Sequence, residues 1–348
     1  MSGSGLDAPV SRAARALLER AGRDAGAPLQ LLAGSGNNRV FRVETTPPLL
    51  LKAYFRHPLD RRDRLGAEFA VLSYAWTAGL RTLPEPLAAD PEHGLGLYGF
   101  LEGRRLEADE VGQSAVDQAL ELFERLNDPA HRAAAAGLPV ASEACFSLAA
   151  HLATVDRRVE RLAGIEPATP EHLEAAALWR AELEPAWRAV RTGALAAAER
   201  LGLAPDAEID AADRCVSPSD FGFHNALIAA DGRISFLDFE YAGWDDPAKL
   251  LGDFFSQVAV PVPDRHLPAF AARLAARTSD PARHRARFDI LLPVYRVKWI
   301  AIILNDFLPA GAHRRRFALG EPGEDDRLAT QLTKARRALE RVGKPGTL

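Results

Sequence analysis

Residues 217–246, SPSDFGFHNALIAADGRISFLDFEYAGWDD, constrain this chain more than any other stretch. Two short apolar runs, 226–230 and 233–239, are separated by Asp231-Gly232. An Asp-Gly pair between such runs predicts a two-residue hairpin turn, because both central positions need positive φ. That turn sets Ala230 opposite Arg233 and, further along, Asn225 opposite Asp238. Facing residues of an antiparallel pair share one face, with Cβ atoms roughly 4.5–5.5 Å apart. An amide and a carboxylate are thus expected side by side at the open end of the hairpin, with Asp220 in the loop just before. Behind them the face continues inward as Leu227 against Phe236 and Ala229 against Ile234, which is core material. The alternative is an ordinary hairpin with polar ends.

An Asn and an Asp held together, without Cys or His, offer the hard oxygen ligands that suit Mg²⁺. Asp220, five residues before the Asn, is placed to take a proton from a hydroxyl. Asp220, Asn225 and the strand-end Asp238 together resemble the catalytic loop and metal-binding Asp of the protein-kinase-like fold. The wording is closer to the aminoglycoside phosphotransferase and choline kinase branch. There the loop usually reads His-Gly-Asp-x-x-x-x-Asn, followed by Ile-Asp-Trp-Glu and a Gly-Asp-Pro segment. The matching segments here are Asp220, Asn225, Leu237-Asp238-Phe239-Glu240 and Asp245-Asp246-Pro247. Pro218-Ser219 departs from the pattern, standing where that family has His-Gly, a scaffold for the metal-binding segment. The resemblance implies ATP as donor, Mg²⁺ on Asn225 and Asp238, and Asp220 as base. The Asp-x-Glu pattern directs Glu240 to a second ion.

The first third of the chain reads as the matching nucleotide-binding half. A helical pattern over 9–23 is followed by strands around 29–32 and 40–43, joined by the glycine-rich turn 33–38. Such a turn can lay backbone N–H groups over phosphates, so Gly34, Ser35, Gly36 and Asn37 are nucleotide candidates; a plain hairpin turn is the alternative. A third strand, 49–55, carries Lys52 inside an apolar run. Lysine is scarce in this arginine-rich chain, and a buried ammonium has to meet an anion. Glu68, on a helix predicted over 58–78, lies beside its apolar stripe. By resemblance Lys52 pairs with Glu68 and holds the ATP α- and β-phosphates. The plainer readings are a strand-edge lysine and a solvated helix glutamate. Two more strands, 83–88 and 95–101, lead to Phe100, Leu101 and Glu102, which resemblance makes the adenine-binding connection between lobes.

Beyond Gly103 the pattern is helical, with candidate helices at 113–126, 143–162 and 172–200; Pro185 inside the third predicts a kink or split. Similar small-molecule kinases use such an insertion to build the acceptor site. Pro247 suits the first position of a helix, so Asp245 or Asp246 reads as its N-cap, a metal ligand being the alternative, and Asp253 on that helix as a brace for the catalytic loop or an exposed carboxylate. Trp244 and Asp245 are candidates for the acceptor site, Trp244 alternatively covering a core edge. In the strongly apolar helix 290–307, Arg296, Lys298 and Trp299 are further acceptor candidates. The alternative is internal pairing of Arg296 and Lys298 with the acidic residues after the hairpin.

The expected fold is α+β and bilobal, protein-kinase-like: an N-terminal helix (1–26), a small antiparallel sheet lobe (27–102) and a helical lobe (103–348). A formal net charge of −4 with no basic stripe argues against nucleic acid as a partner. No apolar run is long enough to span a bilayer. Two cysteines, Cys145 and Cys215, suit a reducing cytoplasm. The expected function is ATP- and Mg²⁺-dependent phosphorylation of a hydroxyl on a small molecule of sugar, aminoglycoside or amino-alcohol type. The alternative is a nucleotide-binding pseudokinase of the same fold.

Overall fold

A computed structural model describes residues 6–32, 38–57, 60, 62–309 and 324–342, with side chains from 327 in the last segment. Helix α1 (Ala8–Arg20) starts at Asp7, whose carboxylate accepts from the Val10 N–H at 2.9 Å. Strands β1 (Leu29–Leu32), β2 (Arg39–Val43) and β3 (Leu49–Ala53) are followed by α2 (Arg64–Thr77), β4 (Pro86–Asp90) and β5 (Leu95–Gly99). The five strands form one antiparallel sheet in the order β1-β2-β3-β5-β4.

Strand alternation decides what each face of this sheet does. Phe41, Val43, Leu49, Leu51, Leu95 and Leu97 point one way and form an apolar core with Ala13, Ala14, Leu17 and Leu18 of α1. Val40, Leu50 and Lys52 point the other way, into a cleft. Helix α2 begins at Arg64 and not at the predicted residue 58, because Asp63 caps it by accepting from the Gly66 N–H at 2.9 Å.

The rest of the chain is mainly helical. It runs through β6 (Arg104–Arg105), α3 (Gln113–Leu126), α4 (Arg132–Ala135), α5 (Leu148–Arg161), α6 (Pro170–Leu178) and α7 (Glu184–Arg200). The single helix predicted over 172–200 is split by a widened turn at Trp179–Leu183, and Pro185 falls in the first turn of α7. A proline has no N–H to give the preceding turn, so the break sits where that loss is harmless. Then follow β7 (Cys215–Ser217), β8 (Ala226–Ile228), β9 (Ile234–Phe236), β10 (Gly243–Asp245), α8 (Pro247–Ser256), α9 (Leu267–Ala275), α10 (Pro281–Leu304) and α11 (Glu324–Val342). Helix α10 is the hub of this region and packs against α5, α7, α8, α9 and α11. Among the described residues no helix is long and apolar enough to cross a membrane.

The hairpin exists, but its register is one residue away from the expected one. Ala226 faces Phe236, Leu227 faces Ser235 and Ile228 faces Ile234. The ladder ends where the Ala229 N–H donates to Arg233 O at 2.9 Å, which leaves a three-residue loop, 230–232, with Gly232 at φ 82°. A glycine in the left-handed position is what three-residue hairpin loops use, and Asp231 secures it by accepting from the Arg233 N–H at 3.0 Å. Because the side-chain period is two, the slip exchanges the opposed set: Leu227 meets Ser235, not Phe236. Phe236 packs instead against Phe221 and Phe223, with ring centroids 5.0 and 5.9 Å away.

Candidate active site

In the observed register Asn225 stands opposite Leu237, whose N–H donates to its carbonyl at 2.8 Å. Strand alternation alone would then send Asn225 and Asp238 to different faces. Asp238 escapes that because it is left-handed, at φ 65°. Among the described residues only Ser219, at φ 68°, and Asp238 are non-glycine residues with positive φ. Such backbones are uphill for L-residues and gather at functional sites. The turn at Asp238 points its carboxylate to Lys52, whose Nζ donates to Oδ1 at 2.6 Å.

Lys52 also donates to Glu68 Oε2 at 2.7 Å. The same oxygen accepts from the Tyr54 hydroxyl at 2.6 Å, while Glu68 Oε1 accepts from the Phe239 N–H at 3.3 Å. One carboxylate of α2 thus ties β3 to the segment after the hairpin. Lys52 and Glu68 are almost wholly buried, whereas 37% of the Asp238 side chain is exposed. Burial pulls the Lys52 ammonium down, but Asp238 and Glu68 outweigh it and hold the group firmly charged. Burial also lifts the Glu68 carboxyl, against the opposing pull of Lys52.

Asp220 lies at the end of the same cluster. Its Oδ1 is 3.1 Å from His224 Nε2, and its Oδ2 accepts from Asn225 Nδ2 at 3.3 Å. Burial raises the Asp220 carboxyl, but the neighbouring His224 and the more distant Lys298 outweigh that and keep it below the usual carboxylate range. A group held as carboxylate, with about a third of its side chain exposed, is chemically able to accept a proton from a hydroxyl brought to it.

A cavity of about 550 Å³ joins these parts. Val40, Leu50 and Tyr98 form its sheet side, Phe100 and Leu101 its back, Leu227 and Leu237 its floor. Lys52, Glu68, Asn225 and Asp238 stand at its polar end with His224. Glu102 is not among the lining residues; it is exposed, 3.8 Å from Arg42. Gly34, Ser35, Gly36 and Asn37 lie outside the described residues.

The donor set fits a divalent ion shared with phosphate. Asn225 uses its amide N–H on Asp220, which leaves Oδ1 for the cavity, and Asp238 keeps Oδ2. Among the described residues no three His, Cys, Asp or Glu side chains converge as a cage, and Mg²⁺ characteristically takes one or two protein oxygens plus phosphates.

The structure places the other candidates elsewhere. Glu240 is fully buried and accepts from Asn38 Nδ2 at 2.6 Å, with Arg64 3.6 Å away, so it does not line the cavity. Trp244 donates to Ala135 O and stacks under Arg132, which makes it a cover of the core edge. Asp245 is buried 2.8 Å from Lys249, and Asp246 is the N-cap of α8. Arg296 reaches Arg341 O and Asp264, on the α11 side. Lys298 donates twice to Asp253, at 2.8 and 3.0 Å, the internal pairing with an acid after the hairpin. Trp299 donates to Asp253 as well, but its ring meets His224 edge-on at 5.8 Å, next to Asp220.

Two residues of the site escaped the sequence reading. His224 had a signal, since it directly precedes Asn225 in the loop. Lys249 had one too: the scarcity of lysine that pointed to Lys52 applies equally to it.

The family model described as "phosphotransferase enzyme family" matches residues 28–288. No curated protein matches the chain. Among solved structures, the spectinomycin phosphotransferase APH(9)-Ia in complex with ADP and spectinomycin aligns over 94% of this chain and 97% of its own, at 12% identity and a TM-score of 0.61. A choline/ethanolamine kinase family protein from Mesorhizobium loti covers 95% and 94%, at 19% identity and a TM-score of 0.58. The choline kinase LicA from Streptococcus pneumoniae covers 90% and 93%, at 17% identity and a TM-score of 0.52. At such identities the likeness is one of fold.

Proposed function

The chain belongs to the phosphotransferase enzyme family, and from that premise we propose how its site transfers phosphate from ATP to a hydroxyl of a small molecule. The observation that carries the reading is the meeting of Lys52, Glu68, Asn225 and Asp238 around one cavity, with Asp220 bonded to its edge. An ammonium has three N–H groups, and Lys52 gives two of them to carboxylates. The third would serve the α- and β-phosphates, while Val40, Leu50 and Tyr98 would cover one face of the adenine, Leu227 and Leu237 the other, and the segment from Phe100 its edge. Asn225 and Asp238 would hold Mg²⁺, which neutralises charge on the phosphates. Asp220 aligns the acceptor hydroxyl and takes its proton as the new O–P bond forms and ADP leaves. Catalysis of this kind is positioning plus charge stabilisation, so a base with an ordinary or lowered pKa suffices.

The acceptor is a hydroxyl-bearing small molecule of sugar, aminoglycoside or amino-alcohol type. Arg296 and Lys298 give no preference for an anionic acceptor, since both are committed to internal acids. The testing experiment measures ADP formation from ATP and Mg²⁺ over a panel of those three classes, with Asp220→Asn alongside. Transfer to one class, lost in Asp220→Asn with nucleotide binding retained, is the expected result. Nucleotide binding with no transfer to any class would leave a non-catalytic module, the reading that Pro218-Ser219 in place of His-Gly favours.

A further inference from the structure

The residue before the base is under strain, and something holds it there. Ser219 has φ 68°, and the Asp220 N–H turns back onto Pro218 O at 2.9 Å, closing a three-residue turn around it. Turns of this kind with a positive central φ are rare and strained, more so for a residue with a side chain. The Ser219 hydroxyl accepts from Lys249 Nζ at 2.8 Å. Both residues are buried, Lys249 almost completely.

Lys249 lies on α8, where two buried acids hold its charge. Besides Ser219 it meets Asp245 Oδ2 at 2.8 Å and Asp253 Oδ2 at 3.4 Å. Asp253 accepts from Trp299 Nε1 at 2.8 Å, the Trp299 ring meets His224 edge-on, and His224 Nε2 returns to Asp220 at 3.1 Å. The contacts therefore close a circuit that leaves Asp220 through its backbone and comes back to its carboxylate. Both arms are rooted in α8.

We propose that Lys249 is a positioning residue, which fixes the strained Ser219 turn and so aims the Asp220 carboxylate at the acceptor hydroxyl. It adds a charged hydrogen bond from a neighbouring helix to the bonds made within the loop, where the Ser219 N–H donates to Ser217 Oγ at 3.0 Å. The inference rests on the reading of Asp220 as base.

Substitutions at Ser219 separate aim from stability, because the two should move in opposite directions. Ser219→Gly relaxes the positive φ but removes the oxygen that Lys249 holds. It should melt at or above the wild-type temperature, keep its KM for ATP within about twofold, and lose about 10- to 100-fold in kcat. Ser219→Thr keeps the hydroxyl and adds a β-branch at a left-handed position. It should melt lower and keep kcat within about threefold. Lys249→Met, where it folds, should match Ser219→Gly in kcat. Turnover is read as ADP formed with the acceptor identified by the panel, and with water alone. A Ser219→Gly enzyme with wild-type kcat overturns the proposal, and if Asp220→Asn is inactive in the same assay the phosphotransfer reading stands without it. Normal turnover by Asp220→Asn would instead overturn that reading itself.

Discussion

Lys52 and Asp238 lie 186 positions apart in sequence, yet the ammonium donates to the carboxylate at 2.6 Å. The contact joins the sheet to the segment after the hairpin and leaves one oxygen of Asp238 facing the cavity. It also makes Lys52 the shared counter-charge of two acids, since Glu68 is bonded to the same nitrogen.

Lys52→Met should therefore weaken both binding and fold. It removes the proposed phosphate contact and strands Glu68, whose side chain is 4% exposed, without its cation. Breaking a buried pair by deleting one partner costs about 3–5 kcal/mol. Urea unfolding without nucleotide should show a loss of that order, and a stability equal to wild type would mean that the pair contributes nothing.

Asp238→Asn tests the metal assignment with little disturbance of the backbone, because asparagine tolerates the left-handed conformation found at φ 65°. Calorimetric titration with an ATP analogue should show Mg²⁺-dependent binding in the wild type, abolished by EDTA. In the variant the Mg²⁺-dependent part should fall at least about tenfold, the scale of losing one charged ligand. Equal Mg²⁺ dependence in both proteins would remove Asp238 from the ligand set.

The buried His151–Asp246 pair predicts how stability follows pH. Its ring and carboxylate are 3.2 Å apart and both inaccessible. Burial pushes the His151 ring towards the neutral form, but its bond to Asp246 outweighs this and lifts it from 6.5 to about 9. A raised folded-state value means the contribution is complete below the unfolded value of 6.5 and is lost as pH climbs through about 9. Asp246 runs the other way: burial opposes, His151 and Arg287 prevail, and the carboxyl falls to about 2, so its contribution is lost only as pH drops from about 3.8 towards 2. The denaturation midpoint should decline between pH 6.5 and 9, and His151→Gln should flatten that slope. An unchanged slope in the variant would assign the decline to other groups.

Gly252→Ala probes the seam between α8 and α10. An added Cβ would lie 2.4 Å from the Tyr295 ring, which is itself bonded to His151 at 2.6 Å. Overpacking of this kind costs about 1–3 kcal/mol. The melting temperature should fall accordingly, and an unaltered value would show that the ring can move aside freely.

Much of the site was legible because it rests on local rules. A lysine inside an apolar strand and a glutamate on the next helix announce a buried pair, and Lys52 with Glu68 is one. Pro247 at a helix start identified an acidic N-cap beside it, and Asp246 fills that role. The hairpin followed from Asp231-Gly232, although its register did not: two- and three-residue loops differ by one residue that the packing of Phe236 on Phe221 and Phe223 selects. Glu240, Asp245 and Arg296 looked available for ligands because a sequence shows charges and not their partners. Each has been taken by a residue far along the chain or on a neighbouring turn.

The sequence by itself determined which segments become strand or helix and which residue types can carry phosphate chemistry, because turn chemistry, caps and periodicity act over a few residues. Only the tertiary structure decided which charges remain open to a ligand. Burial forces an enclosed ion to find a counter-ion, and the choice among those is made by packing between segments. Asp238 reaches the cavity in spite of its register, through a left-handed backbone that Lys52 and the surrounding core sustain.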